Sequence, residues 1–223
     1  MGEADARSKS WTARTAEGAA PAVGELRADE AEAAVRVLAR AFGDNPLNRA
    51  VIGAGAERRV RVNAAGLRPQ IPALLESGCA LGARSAAEAS AALAGVLLAT
   101  PPGGHALGTP RWSVRLRALA AQGWGVSRRW AEVQDLLVPQ RPAAPHWYLA
   151  LLGVEPARQR AGVGAALVAA FLTRVDATGQ SVWLETDRPE NVAFYRRAGF
   201  VAAGELRVFG VPVWLLQRPA RGG

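Results

Sequence analysis

Hydrophobic positions change their spacing several times along this chain, and each change predicts a new element. Val23–Arg27 alternates briefly and predicts a short strand. From Asp29, placed as an N-cap, the run AEAAVRVLARAF sets Val35, Leu38 and Phe42 at steps of three and four residues, the period of a helix with one buried face. Gly43-Asp44-Asn45-Pro46 stops it. A second helical region covers about Glu57–Glu76, broken near Pro69 and Pro72. Gly78–Ala83 and Ser90–Ala99 predict strands, and Pro101-Pro102-Gly103-Gly104 a turn. Trp112–Leu137 is helical, with interruptions at Gly123 and Gly125, and PQRPAAP at 139–145 is a stiff connector.

Beyond the connector the pattern sharpens. HWYLALLGV, about 146–154, predicts a strand. Gly162–Val175 is a helix with Val163, Leu167, Ala170, Phe171 and Val175 on one face. Ser181–Glu185 is a strand, and Pro189–Ala198 a short helix opened by proline and closed by Gly199. Phe200–Arg207 and Val211–Gln217 end the pattern as two strands. The mixture of helices and strands predicts an α/β (α+β) fold, and 146–185 is long enough to be a crossover between parallel strands. One domain over 23–218 suits 223 residues, preceded by a flexible tail at 1–22.

Composition narrows the function. The net charge is +8, which raises nucleic acid as a partner, but it rests on arginines spread along the chain, with Lys9 the only lysine. Dispersed arginine in a chain rich in alanine and glycine fits base composition as well as it fits a polyanion, so no nucleic acid is expected. Cys79 is the only cysteine, which excludes an intrachain disulfide and a cysteine-rich metal site; His105 and His146 have no ligand spacing, so no metal is expected. No apolar run reaches the length of a membrane span and no hydrophobic signal core opens the chain, so a cytoplasmic protein is expected.

Chemistry concentrates in RQRAGVGAAL, residues 158–167, between a strand and a helix. The N–H groups at a helix N-terminus attract phosphate, glycine lets the backbone approach it, and Arg158 and Arg160 add charge. A P-loop needs lysine then serine or threonine after the last glycine; Ala165-Ala166 follow Gly164. A dinucleotide fingerprint needs a small residue where Leu167 stands. The pyrophosphate arm of coenzyme A and a plain glycine turn that starts a helix are both left.

The wider pattern adds to this. QRAGVGAAL, the strand WLETD and the segment RPENVAFYRRAGF, in that order, resemble the GNAT N-acetyltransferase superfamily, and VPQRPAAPHWYLALLGVEPARQRAGVGAALV resembles its puromycin N-acetyltransferase branch. The likeness is loose over 23–218 and close over about 137–200. It implies the GNAT fold, a mixed central sheet flanked by helices, whose two parallel strands splay apart to hold acetyl-CoA as cosubstrate. By resemblance, the backbone of Leu152, Gly153 and Val154 pairs with the pantetheine arm. Gln159, Arg160, Ala161, Gly162, Val163, Gly164 and Ala165 hold the pyrophosphate, and Asn191 holds a pantetheine amide.

The implied reaction is direct attack of a primary amine on the thioester, in a ternary complex with a small-molecule acceptor. Such a reaction needs a donor at the thioester oxygen, for which the Val154 N–H is the candidate. It gains from an acid at the leaving sulfur, Tyr195, one turn after Asn191 on the same helix face. It needs a proton acceptor for the amine, for which Glu185 is the candidate. Each has a plainer reading: Tyr195 as a half-buried helix tyrosine, Glu185 as a cap or ion-pair residue, Asn191 as a helix-start residue. Arg128-Arg129-Trp130 reads as a solvated face beside a buried tryptophan. A protein or peptide amine is the alternative acceptor, and an acyl-CoA sensor without turnover is the alternative outside the enzymes. Oligomeric state stays open between monomer and homodimer.

Overall fold

The computed structural model describes residues 21–53, 55–84, 92–103 and 112–220. The expected tail up to residue 20, Ser90, Gly104 and His105 lie outside the described residues. The strands are β1 (Ala22–Glu25), β2 (Cys79–Arg84), β3 (Leu93–Thr100), β4 (His146–Val154), β5 (Ser181–Thr186), β6 (Val201–Val208) and β7 (Val211–Arg218). The helices are α1 (Ala31–Phe42), α2 (Pro46–Ile52), α3 (Ala56–Leu67), α4 (Ile71–Ser77), α5 (Trp112–Gln122), α6 (Trp124–Leu137), α7 (Val163–Asp176) and α8 (Pro189–Arg197). The described strands form one mixed sheet in the order β1-β2-β3-β4-β5-β7-β6. Neighbours are antiparallel except β4 and β5, which are parallel, as the crossover between them requires.

Helices cover both faces. On one, the α7 side chains Val163, Leu167, Phe171 and Val175 pack on β2–β5 together with Tyr195 and Phe200. On the other, α1 and α4 pack over β2 and β3, while α2 and α6 pack over β4, β5 and β7. Two glycines set the approach of these layers. A Cβ on Gly153 of β4 would lie 2.7 Å from Leu38 Cδ2 of α1, and one on Gly95 of β3 would lie 2.8 Å from Val163 Cγ1 of α7.

Several boundaries differ from the sequence reading for identifiable reasons. Asp29 is not the cap of α1: it sits in a 3-10 turn and receives Arg27 Nε at 3.1 Å. Glu30 holds the entry instead, accepting the Arg27 N–H at 2.9 Å and Arg84 Nη2 at 2.5 Å. Gly123, with φ 84°, separates α5 from α6, whereas Gly125 continues inside α6. Arg129 is not part of a solvated face: its guanidinium lies 4.4 Å from the Phe209 ring centroid and donates to Ala50 O at 2.7 Å. Among the described residues no helix is long and apolar enough to cross a membrane.

Candidate functional site

The site begins with a fault in the sheet. β4 and β5 pair only at His146–Ser181, Trp147–Val182 and Tyr148–Trp183, and then part. Just past that point β4 carries a bulge. Leu98 of β3 faces Leu151 and Ala99 faces Leu149, so Ala150 is the extra residue. The bulge turns Ala150 and Leu151 toward the α1–α2 face while Leu149 and Leu152 keep the α7 face.

The strand beyond the bulge has one free edge. Glu155 N donates to Ala94 O at 2.9 Å, which makes Gly95–Val154 a non-hydrogen-bonded pair of the antiparallel ladder. The alternation then turns the N–H and C=O of Leu152 and Val154 away from β3, into the gap toward β5. Gly153, opposite Val96, spends its backbone groups on β3. The lack of a Cβ on Gly153, one of the residues expected along a cofactor arm, serves the approach of α1.

A cleft of about 900 Å³ occupies the gap and continues under α3, α5 and α6. It runs through the sheet: Leu149, Leu152 and Tyr195 of the α7–α8 side line it, and so do Tyr148, Ala150 and Glu185 of the opposite side. Asn191 and Tyr195, one turn apart on α8, both border it. Tyr195 is 6% exposed, and burial pushes its phenol well above the ordinary value, so it stays protonated at neutral pH. Asn191 Nδ2 donates to Thr186 Oγ1 at 3.0 Å, which fixes the amide against the end of β5.

Glu185 is fixed too. Its Oε1 accepts Arg141 Nε at 3.1 Å and Trp183 Nε1 at 2.8 Å, and its Oε2 accepts the Tyr148 hydroxyl at 2.6 Å. Both side chains of the Arg141–Glu185 pair are 7% exposed, and Arg141 Cζ lies 3.9 Å from the Tyr148 ring centroid. Burial, followed by the Glu185 charge, pushes the Tyr148 phenol up, so it serves as a permanent donor. Two residues on, Asp187 is a second buried carboxylate on the cleft, raised by burial. Its Oδ2 accepts the Leu47 N–H at 2.7 Å and its Oδ1 the Asn45 amide at 3.3 Å, so it anchors the start of α2. The sequence reading did not single out Tyr148, Arg141 or Asp187. The alternation of β4 places Tyr148, but Arg141 comes from an irregular connector and Asp187 acts on a helix 140 residues away.

The glycine-rich loop lies apart from this cleft, at the end of β4. Pro156–Arg158 forms a 3-10 turn, and the exposed Gln159 donates Nε2 to Val154 O at 3.2 Å. Arg160 has φ 64° and Gly162 φ 81°, both left-handed, and Gly162 is the N-cap of α7. Ala166 N bonds to Gly162 O at 3.0 Å, so the N–H groups of Val163, Gly164 and Ala165 have no partner within the helix. No Cβ stands at Gly162, and Ala161 is exposed beside it. The structure therefore brings Leu152, Glu185, Asn191 and Tyr195 together on one cleft, and gathers residues 159–165 around a helix N-terminus at the end of the same strand.

A mixed sheet whose parallel central strands part at a bulge, flanked by helices on both faces, is the GNAT fold. Residues 116–200 match the model of the Acetyltransferase (GNAT) family. In solved structures the chain is similar to a histone acetyltransferase HPA2 and related acetyltransferase from Corynebacterium glutamicum, with TM-score 0.65 and 22% identity over 91% of this chain and 98% of that one. It is similar to arylalkylamine N-acetyltransferase 2 from Aedes aegypti, with TM-score 0.64 and 14% identity over 90% and 99% of the two chains. It is also similar to the ribosomal-protein-S18-alanine N-acetyltransferase from Escherichia coli, with TM-score 0.53 and 14% identity over 92% and 97%. The family match covers part of the chain, residues 116–200, and the likeness to these solved structures is one of fold.

Proposed function

We propose that this protein transfers the acetyl group of acetyl-CoA to a primary amine of a small molecule, by direct attack with both substrates bound. The observation that carries the reading is the three-pair junction of β4 and β5 opening onto a cleft walled by Leu152 and Tyr195. Acetyl-CoA, when bound, supplies the thioester that the amine attacks. The residues present fit it. The free edge of Leu152 and the Val154 N–H accept an amide-bearing arm as a strand would be accepted. The open N–H groups of Val163, Gly164 and Ala165 suit a pyrophosphate, with Gln159 and Arg160 beside them. Asn191 faces the same arm from α8.

The geometry redistributes one role. Val154 does not border the cleft, and its carbonyl is engaged by the loop residue Gln159. Leu152, which borders the cleft with Tyr195 and turns its N–H into the gap, is the better donor to the thioester oxygen. Tyr195, kept neutral by burial, donates its proton to the departing sulfur. Glu185 Oε1 is filled by two donors, while Oε2 keeps a lone-pair position beside the Tyr148 hydroxyl; the amine proton is received there, directly or through water. The family contains acceptors of more than one kind, since one structural neighbour is named for arylalkylamines and another for a ribosomal protein alanine. A deep cleft walled by helices on the acceptor side suits a compact molecule.

Tyr195→Phe tests the assignment. A thiolate is a fair leaving group, so kcat is expected to fall about tenfold to a hundredfold rather than vanish, with the acetyl-CoA dissociation constant unchanged by calorimetry. Tight acetyl-CoA binding without turnover on any amine, in parent and variant alike, would instead identify an acyl-CoA sensor.

A further inference from the structure

We infer that Arg141 is a positioning residue for the transfer: it meets neither substrate, and acts by balancing the charge of the Glu185 carboxylate and turning one of its oxygens to the cleft. The inference rests on the acetyltransferase reading and adds a residue to it. Arg141 follows the 3-10 turn Val138–Gln140 and precedes Pro142. A residue before proline is driven to extended backbone, and Arg141 has φ −71° and ψ 147°. Its N–H is spent on Val138 O at 3.2 Å. The connector, stiffened by Pro139, Pro142 and Pro145, thus fixes the backbone that carries the guanidinium. The side chain lies over the Tyr148 ring, with Cζ 3.9 Å from its centroid, and ends on Glu185 Oε1 through Nε at 3.1 Å.

As a brace for the fold this arginine is costly. Its Nη1 and Nη2 are enclosed, and neither has a hydrogen-bond partner in the protein. A buried cation so poorly paired stabilises less than an apolar side chain that fills the same space. An apolar side chain cannot balance a charge, however. A buried carboxylate resists ionisation unless a cation stands beside it, and a proton acceptor has to be ionised. The other donors to Glu185, the Trp183 indole and the Tyr148 hydroxyl, are neutral. Asp187, just past the end of β5, adds negative charge to the cleft, and across it on α6 stand Asp135 and Arg128, the latter held by Glu132 at 3.2 Å. Among the described residues Arg141 is the cation in contact with Glu185. It also sets direction. Arg141 and Trp183 do not border the cleft and both donate to Oε1, whereas Tyr148 borders it and donates to Oε2. Oε1 is therefore turned inward and Oε2 outward, to where the amine arrives.

A double-mutant cycle on Arg141→Met and Glu185→Gln tests this. It is read by steady-state CoA release with a panel of primary amines, among them tryptamine, ethanolamine and spermidine, and by calorimetry with acetyl-CoA. Alone, Arg141→Met is expected to lower kcat about thirtyfold, a share of what general-base catalysis supplies. The KM and dissociation constant of acetyl-CoA stay unchanged, and the acid limb of kcat/KM moves to higher pH. In the Glu185→Gln background the same substitution lowers kcat less than about twofold, since no carboxylate is left to hold. If the methionine variant does not fold, Arg141→Lys carries the same cycle; it keeps a cation but not the flat contact with Tyr148, and a loss of about fivefold is expected. An unchanged kcat, or an equal loss in both backgrounds, overturns the inference and leaves the arginine to the fold alone. If the parent turns over and Glu185→Gln is as fast, the base and its positioning residue fall while the acetyltransferase stands. No turnover by the parent on any amine of the panel removes both.

Discussion

At the scale of single residues, the glycine-rich loop holds a strained arginine. Arg160 has φ 64°, where an L-residue meets its own carbonyl, at a cost of about 1–2 kcal/mol. Glycine removes that strain but restores about 0.5–1 kcal/mol of unfolded-chain entropy. Arg160→Gly is therefore expected to gain about 0.5–1 kcal/mol in urea denaturation. A loss of stability would show that the arginine side chain is held by contacts that outweigh its backbone. The residues best read from sequence are those whose neighbours lie within one turn. Asn191 and Tyr195 share a face of α8 by their spacing alone, and both border the cleft. Glu185 was placed at the end of its strand but not oriented, because its partners Arg141 and Tyr148 are 44 and 37 residues away.

At the scale of elements, the sequence outlines the strands and longer helices to within a few residues, and omits α2. Seven residues are too few for a helical period to declare itself, and the group that holds the α2 N–H at Leu47 is Asp187. The bulge at Ala150 is equally silent. HWYLALLGV reads as one uninterrupted strand, and the extra residue emerges only against the register of β3. Where layers touch, the sequence shows a glycine but not its neighbour. Gly153→Val places methyl groups against Leu38 and Ala41, so α1 must shift; a loss of about 1–3 kcal/mol is expected. Thermal unfolding checks it, and an unchanged midpoint would mean that α1 gives way freely. Because α1 backs the bulged strand, weaker acetyl-CoA binding is expected in the same variant.

At the scale of the whole molecule, the strand order and the parting of β4 from β5 follow from pairings that no local pattern contains. The parting enters the sequence reading through family resemblance, not through spacing, and the strand order does not enter it at all. The charge of +8 needs no polyanion to explain it, since many described arginines are engaged within the fold, among them Arg40 with Glu155, Arg84 with Glu30 and Arg218 with Asp176. The cofactor reading has a global consequence. A ligand present at a hundred times its dissociation constant adds about 2.7 kcal/mol, worth about 5–10 °C in a domain of this size. Acetyl-CoA is expected to raise the unfolding midpoint by that amount, measured by scanning calorimetry, and no shift at saturating concentration would contradict the site.

The contact between His146–Tyr148 and Ser181–Trp183 also divides the molecule mechanically. A short zip of backbone bonds stitches a four-strand half, β1 to β4, to a three-strand half, β5 to β7. That junction has the fewest register pairs of any in the described sheet, and whatever fills the open wedge acts as the missing thread.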